Sequence, residues 1–122
     1  MNNKLRTTVG AMTLAMVGIV VTGTVLAADC TLWADQPQYN GSISGEGSWA
    51  NCPTNAKVTV LLRKDHKWWP DSTLDSKSGT GSSGRLSTLR GCGTGFEPWK
   101  VYVETRYGSK KTQSPRAVLP CG

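Results

Sequence analysis

The chain is poor in the residues that most enzymatic chemistry needs. It has one histidine, His66, and three glutamates, Glu46, Glu97 and Glu104. A hydrolytic triad requires a serine and a carboxylate converging on that histidine, and the serines here lie in turn-like runs without a nucleophile-elbow motif. Asp65 adjoins His66, but neighbours on an extended strand face opposite ways, so it is poorly placed to orient the ring. General acid–base pairs normally draw on more than one strong candidate, and paired glycosidase carboxylates have no anchor. No Cys-x-x-Cys pair occurs, which removes the usual zinc spacing. The expectation is a non-enzyme with no catalytic residue, no cofactor and no metal. Beyond residue 28 there is also no helical period of useful length, no internal repeat and no second domain.

The one long apolar run lies at the start. Lys4 and Arg6 precede a stretch from Val9 to Val25 broken only by small residues, and Ala27 and Ala28 offer cut sites. A membrane span needs about 20 apolar residues and usually a charged stop beyond them. Here the run meets Asp29 and Cys30, so residues 1–28 read as a cleaved secretory signal and 29–122 as a single exported domain. Asp29 before Cys30 also argues against lipidation. The expected location is extracellular, with no membrane attachment after cleavage.

The whole chain carries 14 Lys plus Arg against 8 Asp plus Glu, a formal charge of +6; without Lys4 and Arg6 the surplus is +4. Nucleic-acid binders cluster such charge along one element, whereas here it is spread from Lys57 to Lys111, so no nucleic acid is expected. A domain of about 94 residues buries only a modest core, and cross-links then matter. All four cysteines, Cys30, Cys52, Cys92 and Cys121, lie beyond the signal. An even count in a short exported chain reads as a disulfide framework. Three pairings are open and the sequence does not decide among them. The preferred expectation is sequential, Cys30 with Cys52 and Cys92 with Cys121, each closure contributing about 3 kcal/mol in the chain-entropy model.

Alternating apolar residues, punctuated by Gly, Ser, Thr and Pro, indicate an all-β fold, a small immunoglobulin-like antiparallel β-sandwich with two disulfides. Strands are expected over Cys30–Trp33, Ser42–Trp49, Ala56–Lys64, Arg85–Arg90, Trp99–Tyr107 and Ser114–Cys121, the last an edge because of Pro115 and Pro120. Asn40-Gly41 suits a two-residue hairpin turn with positive φ at both positions. Val58, Val60 and Leu62 share one face, as do Trp99, Val101 and Val103. Tyr102, Glu104 and Arg106 take the other, towards water. The intervals Lys64–Gly84 and Gly91–Gly95 read as loops. Trp33, Trp49 and Trp99 fit core or semi-core positions.

The run Arg63-Lys64-Asp65-His66-Lys67-Trp68-Trp69-Pro70-Asp71 stands out. Two adjacent tryptophans cannot both enter a core from regular strand geometry. Exposed Trp beside Arg or Lys is the composition of an interaction hot spot. The candidate binding residues are Arg63, Lys64, Lys67, Trp68 and Trp69, extended by Tyr102 and Arg106 on the sheet face. Aromatic rings also stack on sugars, so a polysaccharide is a second partner class after an extracellular protein.

Cys30-Thr31-Leu32, Asn51-Cys52 and Val58-Thr59-Val60 together resemble the opening of small secreted two-disulfide β-sandwich proteins of filamentous Gram-positive bacteria. The proteinaceous α-amylase inhibitors of that group share such an opening over about residues 30–62. Their Trp-Arg-Tyr triplet has no counterpart, the hairpin region reading Tyr39-Asn40-Gly41-Ser42-Ile43. The resemblance implies a β-sandwich. The expected function is a non-catalytic binding protein, such as an adaptor subunit of an extracellular assembly. The alternatives are an inhibitor of a secreted glycosidase or protease, and a carbohydrate or cell-wall binding module.

Overall fold

The computed structural model describes residues 29–93 and 97–121. The expected signal and the residues Thr94 and Gly95 of the second loop lie outside them. Among the described residues nine strands run in order: β1 (Thr31–Ala34), β2 (Gln38–Tyr39), β3 (Ser42–Ala50), β4 (Lys57–Lys64), β5 (Ser72–Thr80), β6 (Gly84–Gly91), β7 (Pro98–Tyr107), β8 (Lys110–Gln113) and β9 (Ala117–Pro120). Among the described residues there is no α-helix. All pairings are antiparallel. One sheet places β4 between β5 and β7, with β8 and β9 sharing the far edge of β7; the other places β3 between β6 and the pair β1 and β2.

The two outer strands are each split by a proline. Pro37 separates β1 from β2, and Pro115 separates β8 from β9. Proline lacks the N–H that a ladder requires, so pairing must stop or be replaced there. Ser114 does the replacing: its N–H donates to Val103 O, and its hydroxyl accepts from Val103 N–H, each at 2.9 Å. The Gln36 side chain donates to the Arg116 carbonyl at 2.8 Å and ties one split edge to the other.

The core has two linked parts. Cys30, Leu32, Trp49, Cys52, Ala56 and Val58 fill one end; Ile43, Val60, Leu62, Val101, Val103 and Cys121 fill the other. Between them β3 presents Gly45 and Gly47, which let the opposing sheet pack directly on its backbone. A Cβ at Gly47 would lie 2.3 Å from Thr105 Oγ1, and one at Gly45 would lie 2.3 Å from Val103 Cγ2. Trp49 closes the first end, its indole N–H donating to Gly81 O at 3.0 Å.

The disulfides are Cys30–Cys52 and Cys92–Cys121, separated by 22 and 29 residues. This is the sequential pairing, and each bridge joins one part of the core. The hairpin between β2 and β3 falls at Asn40-Gly41 as expected, but only Gly41 has positive φ (75°). The flanking pair is Tyr39 with Ile43, so the loop has a third residue, Ser42, and Asn40 need not be left-handed.

Three further expectations are corrected. Ser72–Thr80, read as loop, is the nine-residue strand β5, held by its ladder to β4 and not by apolar alternation. Tyr102 and Glu104 do not point to water: they are only 2% and 1% exposed. Asp71 and the Arg116 guanidinium close over Tyr102, while Arg106 and Gln113 bond the Glu104 carboxylate. Trp33 is not a core ring but 48% exposed, because Leu32 beside it takes the inward position.

Candidate functional site

Seven residues, Asp65 to Asp71, connect β4 to β5 and carry the two tryptophans. Trp68 is 78% exposed and Trp69 63%. Neither serves the core. Lys67 Nζ lies 5.2 Å from the centre of the Trp68 ring, and the His66 ring stands 5.6 Å from that of Trp69. Each indole thus has a basic or imidazole neighbour against one side, which restricts it without covering it.

Asp71 holds this loop closed. Its carboxylate accepts from the Tyr102 hydroxyl at 2.5 Å and from the His66 backbone N–H at 3.1 Å. Its own carbonyl accepts from Arg63 Nη2 at 3.0 Å. At the other end of the loop, Asp65 N–H donates to Lys100 O, and Arg116 Nε donates to the Asp65 carboxylate at 3.2 Å. The Arg116 guanidinium lies 3.7 Å from the centre of the Tyr102 ring. A base of Asp71, Tyr102, Arg63, Arg116 and Asp65 therefore fixes both ends, and the Lys67–Pro70 tip projects from it.

The electrostatics follow the contacts. The Tyr102 hydroxyl bond lowers the Asp71 pKa below its ordinary value; the His66 amide, Arg63 and Arg116 also lower it, against the upward push of burial. Burial, then the bond to Asp71, raises the Tyr102 phenol. Removing the Asp71 carboxylate would leave the buried Tyr102 hydroxyl without its acceptor, whereas Asp71, only partly buried, would keep the His66 N–H if the hydroxyl were lost.

The predicted site residues separate into groups. Arg63 and Tyr102 belong to the supporting base and not to the contact surface. Lys67, Trp68 and Trp69 form the exposed tip. Lys64 turns towards the end of the sandwich, where its Nζ lies 4.3 Å from the centre of Trp99, with Arg90 at 5.7 Å on the same ring. Arg106 is not brought to the loop: it pairs across from Thr59, well along β7, and its Nε donates to the Glu104 carboxylate. Burial raises the Glu104 pKa, but the bonds from Arg106 and Gln113 outweigh it and leave the carboxyl lowered. Arg106 is thus committed to a buried carboxylate.

Asp71 and Arg116 were absent from the sequence-based set. The signal for Asp71 is its position after Pro70 at the mouth of a hairpin loop, where a short carboxylate can take a backbone N–H. Arg116 bonds Gln113 three residues away, but its partners in the loop base, Tyr102 and Asp65, lie 14 and 51 residues away, so nothing local signals that role. The structure also brings Ser72 to His66, at 2.9 Å between Oγ and Nε2. Asp71 bonds the His66 backbone and Asp65 bonds Arg116. Among the described residues no cluster of three His, Cys, Asp or Glu side chains suits a metal ion.

No family model matches the chain, and neither a curated protein nor a solved structure matches it.

Proposed function

We propose that the protein is a secreted, non-catalytic binding protein that grips an extracellular protein partner through the Lys67-Trp68-Trp69 tip, as an adaptor subunit does. One observation carries this reading: two adjacent indoles, 78% and 63% exposed, stand on a loop whose ends are hydrogen-bonded in place. Solvent-exposed tryptophans are costly to leave uncovered unless a partner covers them, and Trp with a basic neighbour is the preferred hot-spot chemistry. A fixed loop also loses little conformational freedom when it docks. The two disulfides support an oxidising, extracellular setting. The sheet arrangement, with β1, β3 and β6 facing β7, β4 and β5, supports an immunoglobulin-like layout for the sandwich.

Placement of the tip at a protruding hairpin also favours a second reading, inhibition of a secreted enzyme by insertion of Lys67–Asp71 into its cleft. Two assays separate the readings. The native culture medium is passed over immobilised protein and over a Trp68→Ala/Trp69→Ala variant, and a panel of secreted proteases and glycosidases is titrated with soluble protein. An adaptor captures a defined exported protein in a tryptophan-dependent way and inhibits none of the panel. An inhibitor blocks one member near stoichiometric ratio. Capture that the double variant retains would refute the loop as the contact surface.

A further inference from the structure

The outer face of the sheet formed by β1, β2, β3 and β6 lies away from the tryptophan loop and is built differently. Ser44, Glu46 and Ser48 project outward from β3, opposite the buried parity of Ile43, Gly45 and Gly47. The register sets Trp33 and Arg85 on either side of Ser48, and Gln38 and Leu89 on either side of Ser44. Ser87 pairs with Glu46, whose carbonyl accepts the Asp35 N–H at 2.9 Å. Pro37 is turned inward at the point where the outer strand splits. The chain bends away from β3 there, and a cavity of about 190 Å³ opens, lined by Asp35, Gln36, Gln38, Ser44, Glu46 and Ser87 around the Gly45 backbone.

We propose that this cavity is part of a groove that binds a neutral oligosaccharide. Its lining side chains are hydroxyls, amides and carboxylates, the groups that exchange hydrogen bonds with sugar hydroxyls. Sugars also present apolar C–H faces, and the sheet offers matching surfaces at each end: Trp33, 48% exposed, and Leu89, 59% exposed. They lie on opposite flanks of β3 and four residues apart along it, a diagonal of about 16 Å from the strand rise and spacing. The cavity is smaller than the roughly 300–1,000 Å³ of a pocket that encloses a drug-sized ligand. It suits one ring of a chain that continues across the sheet.

The site is preorganised. Glu46 is held by Arg85 Nη1 at 2.5 Å and by the Ser87 hydroxyl at 3.2 Å, so its acceptor positions are set before a ligand arrives. The Trp33 backbone is fixed by Thr105 Oγ1, which donates to its carbonyl at 2.8 Å. Arg85 offsets the charge of Glu46, while Asp35 adds a negative charge to the rim. That balance disfavours an anionic polymer and leaves a neutral sugar chain as the fitting ligand.

The test is calorimetric titration of the purified protein with hexasaccharides of cellulose, xylan, mannan and chitin, and with oligogalacturonate as the anionic control. The expected result is binding of at least one neutral member, weakened tenfold or more in Trp33→Ala and largely retained in Trp33→Phe. Thermal midpoints report that each variant is folded. Trp68→Ala/Trp69→Ala should bind the same sugar unchanged, so the groove stands or falls independently of the loop. Binding by no neutral member, binding indifferent to Trp33→Ala, loss that follows Trp68 and Trp69, or a preference for oligogalacturonate would each overturn it.

Discussion

Substituting Asp71 by Ala should be the most damaging single change within the loop Asp65–Asp71. The replacement removes the acceptor for the Tyr102 hydroxyl and for the His66 N–H. Hydrogen bonds to a charged group contribute about 1.5–3 kcal/mol, and a buried hydroxyl left without a partner costs about 1–3 kcal/mol. These overlap, because the Tyr102 penalty is part of the first figure, so a loss of about 2–3 kcal/mol is expected. For a domain of this size that lowers the midpoint of thermal unfolding by roughly 10–20 °C. Tyr102→Phe removes one donor and leaves Asp71 with the His66 N–H, so it should cost less, about 1–1.5 kcal/mol. The double variant should show coupling of at least about 0.5 kcal/mol, as residues in direct contact do.

The same carboxylate gives the prediction a pH signature. Asp71 titrates below its ordinary 3.8 in the folded protein. Its contribution is therefore complete above that unfolded value and is lost as pH falls through the lower folded value. Denaturant melts of wild type and Asp71→Asn between pH 7 and pH 2 should converge at the acid end. A gap that stays constant with pH, or Asp71→Ala within 0.5 kcal/mol of wild type, would refute the role assigned to this residue.

Two further changes test the frame that holds the site. Gly47→Ala places a Cβ against Thr105 and both Val60 methyls at the closest approach of the sheets; it should destabilise by about 1–3 kcal/mol by overpacking, read as a lower denaturant midpoint. Replacing Cys92 and Cys121 by Ser removes a closure of 29 residues, with an expected loss of about 3.6 kcal/mol in the chain-entropy model, measured by chemical denaturation.

Much of the sandwich is legible in the sequence because its central strands carry strong signals. Lys57–Lys64 and Pro98–Tyr107 alternate β-branched and polar residues, and both were expected to within a residue or two at their ends. β5 is not legible. In Ser72–Thr80 only Leu74 packs on the core, and Ser, Asp and Gly favour turns in isolation. Tertiary pairing overrides that preference: the strand takes its ladder from β4, and its Asp75 and Lys77 bond the backbone of β6 at Leu89 and Ser87. The tip of the candidate site is legible because adjacent tryptophans cannot both be core. Its base is not, because Tyr102 and Arg116 meet Asp71 and Asp65 only after β7 and the split edge strand fold beside the loop. Trp33 illustrates the same limit: parity could exclude one of Leu32 and Trp33 from the core, but not say which.

The claim that the tryptophan pair is a recognition surface and not a piece of core is tested most directly by comparing Trp68→Ala/Trp69→Ala with wild type in two readouts, partner capture and unfolding. From the area these rings do bury, their removal should cost together at most about 2–3 kcal/mol, against about 3–5 kcal/mol for one core tryptophan such as Trp49. Capture should fall at least about 30-fold, the loss expected from a single hot-spot residue. A folded variant that no longer captures its partner is the predicted result; a variant that captures as wild type does, or one that fails to fold, contradicts it.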